Sequence, residues 1–161
     1  MTPRQLFLQL GADHRRQIHL SLCEDALATW IGYVQGKPAP LRYRDSVVRM
    51  RHNVDLELPA DALRCARAGV DLADIGNRYL EPITALQDGD LVFPDPVEFA
   101  YYAIYNCFCK YVRGDDSSDW LIVNQALSVH DRSEAASRLM HAIDSIVPTT
   151  SGNTEDAEPM G

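Results

Sequence analysis

The sequence predicts an all-α protein, a single-domain bundle of roughly seven or eight helices. Three observations carry this: apolar residues recur at three- and four-residue spacing through most of the chain, Pro and Gly punctuate those stretches, and hydrophobic residues make up 46% of the 161 positions against 24% charged. That balance permits a core without metals or disulfides at this length.

From Ala12 to Gln35, Ile18, Leu22, Ala26, Trp30 and Val34 stand four residues apart, with Arg15, Arg16 and Glu24 on other faces. This is the pattern of a long amphipathic helix, and Gly36, Pro38 and Pro40 forbid its continuation. Ahead of it, Pro3 to Leu10 is long enough for one or two helical turns ending at Gly11. From Tyr43, Val47, Met50 and Val54 suggest a helix to about Asn53, after which VDLEL reads as an extended link.

Pro59 opens the next helix, which Gly69 closes. A further stretch starts at Asp71 and runs toward Leu86, with Pro82 expected to kink or end it. The segment LQDGDLVFPDP reads as a loop, because Asp88-Gly89 and Pro94 are both turn signals. Asp95-Pro96-Val97-Glu98 then carries an N-cap acid, a first-turn proline and a glutamate, which predicts a helix over 96–113, central because it is apolar on most sides. Gly114 ends it, Trp120, Val123 and Leu127 space a helix in WLIVNQALSV, and Asp131 with Glu134 forms a capping box for the last one. Pro148 is expected to stop that helix, which gives a helical domain over 1–147 and a disordered C-terminal tail over 148–161.

No apolar run reaches the roughly 18–20 residues of a membrane span, so a cytoplasmic, soluble protein with no membrane partner is expected. Cys23, Cys65, Cys107 and Cys109 show no framework spacing and read as buried small hydrophobes. The net charge of −8 argues against direct nucleic-acid binding. Its distribution is uneven: residues 1–80 carry eleven Lys/Arg against nine Asp/Glu, and residues 81–161 carry four against fourteen. Arg42, Arg44, Arg49 and Arg51 read most simply as a solvated face that pairs with nearby acids.

No motif specifies a chemistry: G-x-S-x-G, P-loop and G-x-G-x-x-G patterns are all missing, and the expectation is no catalysis, no cofactor and no metal. A rival enzyme reading gathers His52, the His130-Asp131 pair and Asp144 on a metal, as a helical phosphohydrolase requires. A third possibility is a helical regulatory or scaffold protein. The stronger candidate is a partner-binding surface. Glu98, Tyr102, Asn106 and Lys110 form an i, i+4 stripe with Tyr105 at its edge; Asp88, Asp90 and Asp95 precede the helix, and Asp115, Asp116 and Asp119 follow it. Aromatic anchors among acids suit docking of a basic protein.

The stretches CEDALATWIGY, YRDSVVRMRHNVDLELPADAL, GDLVFPDPVEFAYYAIYNCFCKYV and WLIVNQALS resemble bacterial immunity proteins of contact-dependent growth inhibition and other polymorphic toxin systems. The resemblance covers about residues 20–130. It implies a cytoplasmic protein that binds one cognate toxin and blocks its active site or an exosite. It transfers no functional residue and leaves the toxin and the oligomeric state open.

Overall fold

The computed structural model describes the backbone of residues 1–37, 39–45 and 47–157, and side chains as far as 146. Seven helices and one two-stranded sheet make up the described chain: α1 (Pro3–Gln9), α2 (Ala12–Gln35), β1 (Arg42–Arg44), β2 (Arg51–Asn53), α3 (Leu58–Ala68), α4 (Ile75–Gln87), α5 (Asp95–Val112), α6 (Asp119–Leu127) and α7 (Arg132–Ala157). The all-α expectation therefore holds, and none of the described helices is long and apolar enough to cross a membrane. The stop expected at Pro148 is not made, since α7 continues past it to Ala157; the side chains of 148–161 and the structure of 158–161 lie outside the described residues.

Helix α2 occupies the range its spacing predicts and buries Ile18, His19, Leu20, Leu22, Cys23, Ala26 and Trp30. Helix α1 is fixed by a capping box in which the Thr2 hydroxyl accepts from Gln5 N–H and the Gln5 side chain accepts from Thr2 N–H. Gly69 and Gly114 follow α3 and α5 at φ of 75° and 70°, a left-handed turn that Gly adopts without steric cost. Asp131 caps the last helix through Glu134 N–H at 2.9 Å, while the Glu134 side chain turns to Arg138 instead of closing the box.

Three further local expectations are decided by the structure. The helix expected over 43–53 is an antiparallel hairpin pairing Arg42 with Asn53, Tyr43 with His52 and Arg44 with Arg51. Alternation decides it: Tyr43 is buried and His52 half-buried on one face, and the arginines are exposed on the other. Of the two outcomes expected at Pro82, a kink or an end, the end is not taken: α4 runs through it, with Ile75, Tyr79, Pro82, Ile83 and Leu86 burying one continuous face that outweighs the lost hydrogen bond. Its entry is tied by Asp71, whose carboxylate accepts from Ala73, Ile75 and Gly76 N–H. At α5, Pro94 takes the N-cap position and Asp95 is already helical, so the expected Asp95 cap bond is not made.

Helix α5 is central as expected, packing against α2, α3, α4 and α6. Its face Val97, Ala100, Tyr101, Ile104 and Phe108 is buried, and all four cysteines lie in the interior as free thiols. Trp30, Tyr79, Phe93 and Tyr101 form an aromatic cluster with centroid separations of 4.7–5.3 Å. Within it the Tyr79 hydroxyl donates to the Tyr101 carbonyl at 2.8 Å, whereas the buried Tyr101 hydroxyl has no hydrogen-bond partner among the described residues. Removing each hydroxyl should therefore act oppositely. Tyr79→Phe is expected to cost about 1–2 kcal/mol, and Tyr101→Phe to be neutral or stabilising, as read from denaturant midpoints. Equal losses for both would contradict the assignment.

Candidate interaction surface

The acids flanking α5 form two groups, one toward each end of the helix. Helix α5 has 18 residues, so its ends are separated by about 25 Å, with Asp88, Asp90 and Asp95 at one and Asp115, Asp116 and Asp119 at the other. Asp119 is committed inside the fold: it pairs with Arg15 Nε at 2.9 Å and Lys110 Nζ at 2.5 Å. Burial works against its charge, yet those two cations outweigh burial and hold its carboxyl below the ordinary range. Asp90 lines a groove with the arginines of the hairpin. Asp88, Asp95, Asp115 and Asp116 are exposed.

The i, i+4 stripe is likewise used internally along much of its length. Asn106 donates to Gln125 on α6 at 2.7 Å, and Lys110 binds the Ser117 carbonyl as well as Asp119. Tyr105 packs on Tyr79 with ring centroids 5.0 Å apart, and burial, helped by a hydrogen bond with Cys109, pushes its hydroxyl up to about 12. Glu98 and Tyr102 are half-buried. Burial and the Glu98 charge raise the Tyr102 hydroxyl pKa.

The hairpin supplies what the acidic surface lacks. At its end, Val47, Val48 and Met50 are 86%, 63% and 61% exposed, the densest run of uncovered apolar side chains in the described structure. The Asp45 carboxylate holds the connecting segment in shape, accepting from the backbone N–H of Val47, Val48, Arg49 and Met50 at 2.7–3.3 Å. Arg49 is held at φ 62°, a left-handed conformation that costs a β-substituted residue of order 1 kcal/mol.

Arg42, Arg44, Arg49 and Arg51 line a groove on the outer face together with Pro40, Tyr43 and Asp90. The expected pairing of these arginines with acids is not seen among the described residues. None of the four is in an ion pair among the described residues. Arg44 and Arg51 stand directly opposite each other, an arrangement that opposes hairpin formation and that an anion between them would relieve.

On the inner face, Tyr43 stacks on His52 at 5.4 Å, and His52 Nε2 lies 2.7 Å from Asp45 Oδ2 and 3.2 Å from Glu81 Oε1 of α4. The hydrogen bond from His52, followed by those from the segment's backbone, lowers the Asp45 pKa to about 2. These contacts tie the hairpin to the helical body. The enzyme set His52, His130, Asp131 and Asp144 does not converge: among the described residues the one group of three or more potential metal ligands is Asp45, His52 and Glu81. Asp131 instead caps α7 and Asp144 is exposed.

No family model matches this sequence, and neither a curated protein nor a solved structure matches it. Sequence reasoning missed Asp45, Val47, Val48, Met50 and Glu81. The available signal was the alternation of Arg42-Tyr43-Arg44 and Arg51-His52-Asn53 around an aspartate-led turn.

Proposed function

We propose that this protein is a non-catalytic inhibitor of the immunity type, which neutralises a cognate bacterial toxin domain by inserting the β1–β2 hairpin into its working cleft. The observation that carries the reading is an apolar end on an arginine-lined stem, held rigid yet uncovered. Such a surface is costly to leave in water and becomes useful when a partner buries it.

The partner's chemistry follows from charge. Domains that cut nucleic acid have basic grooves for phosphate, and metal-dependent ones hold catalytic carboxylates at the centre. Arginines complement such a centre, while the fourteen acidic residues of positions 81–161 attract the basic surround at longer range. In this reading the exposed Asp115 and Asp116 steer, and the hairpin anchors. The partner is still a basic protein overall, but the part that meets the hairpin is anionic.

The test is protection of cells that express the toxin domain encoded beside this protein's gene, coupled to a binding measurement with the purified pair. Arg44→Glu with Arg51→Glu is expected to abolish protection and weaken binding by more than about 100-fold. Asp115→Lys with Asp116→Lys is expected to slow association and leave dissociation unchanged. A hairpin variant that protects as well as the unmodified protein rejects the reading. Tight binding of single-stranded RNA at physiological salt, lost in the arginine variant, would assign the groove to nucleic acid instead.

A further inference from the structure

The hairpin meets the helical body at a group whose composition is unusual for a simple buttress. His52 from β2, Asp45 from the connecting segment and Glu81 from α4 bring one imidazole nitrogen and two carboxylate oxygens within 4.8 Å of one another. We propose that these three side chains form a binding site for one divalent first-row cation, of the Zn²⁺ or Mn²⁺ class.

Geometry is the first argument. Metal–ligand bonds of about 2.1 Å place neighbouring ligand atoms about 3.0 Å apart in an octahedral site and about 3.4 Å apart in a tetrahedral one. The two separations from His52 Nε2, 2.7 and 3.2 Å, bracket the octahedral value. The Asp45 and Glu81 oxygens lie within 4.8 Å of each other, and Glu81 is on the surface.

Charge is the second. Two carboxylates face a single imidazole, and neither has an ion pair with Lys or Arg among the described residues. With His52 neutral the group carries two uncompensated negative charges, and with it protonated, one. A single Nε2–H also serves two acceptors poorly, whereas a cation bonds both oxygens and the deprotonated nitrogen together.

The surroundings give the third. Four backbone N–H groups fix the Asp45 carboxylate and Tyr43 stacks on the imidazole, so the two ligands on the hairpin are oriented from outside the group. A cleft of about 330 Å³, lined by Asp45, Glu81, Val47, Asn77, Leu80 and Thr84, opens beside the carboxylates and leaves room for water on the remaining coordination positions. An imidazole with two carboxylates and no thiolate suits borderline and hard divalent ions. Bound there, the ion would lock the hairpin to α4. The site stands whether or not the hairpin engages a toxin.

Titration calorimetry of the full chain with Zn²⁺ and with Mn²⁺ tests it, compared with Glu81→Gln and His52→Gln. One ion per chain is expected, with affinity weakened by at least about 100-fold in each variant and a metal-dependent rise in melting temperature lost in both. Glu81 is exposed, so Glu81→Gln is expected to fold normally, which its far-ultraviolet circular dichroism checks. Absence of stoichiometric binding to the unmodified protein overturns the proposal. So does undiminished binding to Glu81→Gln, which would put the ion on another histidine such as His14 or His141.

Discussion

Replacing Val47, Val48 and Met50 together by serine is expected to weaken partner binding by more than about 100-fold while leaving the folding stability within about 0.5 kcal/mol of the unmodified protein. The two halves of this prediction come from the same exposure values. All three side chains are mostly in water in the free protein, so their removal takes little from the core. Fully burying a side chain of this size is worth about 1.5–3 kcal/mol, so losing about two-thirds of that at three positions, about 3–6 kcal/mol, exceeds the roughly 2.7 kcal/mol that 100-fold requires. Serine also preserves the backbone N–H groups that Asp45 accepts from, which keeps the segment's shape out of the comparison. The readouts are dissociation constants for the purified toxin pair and denaturant midpoints for the free protein. Unchanged affinity would remove the hairpin from the interface, whereas a large loss of stability would show that the valines and methionine serve the fold.

How much of this was legible beforehand depended on whether the deciding interactions were local. Helix α2 was readable end to end because its spacing, Gly11 and Gly36 all lie within the segment. The hairpin was misread because Val47, Met50 and Val54 match a helical spacing, while the competing two-residue alternation spans only three residues on each strand. Telling them apart required knowing that Tyr43 has a core to face. The pairing of Asp119 was hidden for a similar reason. Asp119 is an aspartate like its neighbours in sequence, and it is neutralised by Arg15, over a hundred positions away, and by Lys110 across the α5–α6 corner. Glu81 joins His52 from a different element, so no motif spacing announces the pair. Residue types gave the supply of charge, and tertiary pairing decided which charges were left for a partner.

The same Asp119 corner predicts the protein's response to acid, through His19. This histidine is fully buried on α2, with Nε2 2.8 Å from the Asp119 carbonyl and Nδ1 2.5 Å from the Tyr111 hydroxyl. A carbonyl only accepts, so Nε2 carries the proton and donates, and Nδ1 accepts from Tyr111. The imidazole is therefore neutral and satisfied on both sides. Burial, reinforced by the charges of Lys110 and Arg15 and opposed by Asp119, lowers its pKa from 6.5 to about 4. Because the folded value lies below the unfolded one, the unfolded chain binds a proton first, and stability falls as pH drops from about 6.5 to about 4. A shift of this size corresponds to about 3 kcal/mol, fully present above pH 6.5 and spent by pH 4. His130, whose pKa burial also lowers, acts in the same direction. His19→Gln is expected to start less stable at pH 7, since it disturbs two buried hydrogen bonds, and then to lose less between pH 6.5 and 4 than the unmodified protein. Denaturant midpoints measured across that range for both proteins give the difference directly. Parallel curves would mean that the imidazole already carries its second proton in the folded protein, and that the Tyr111 hydroxyl accepts at Nδ1.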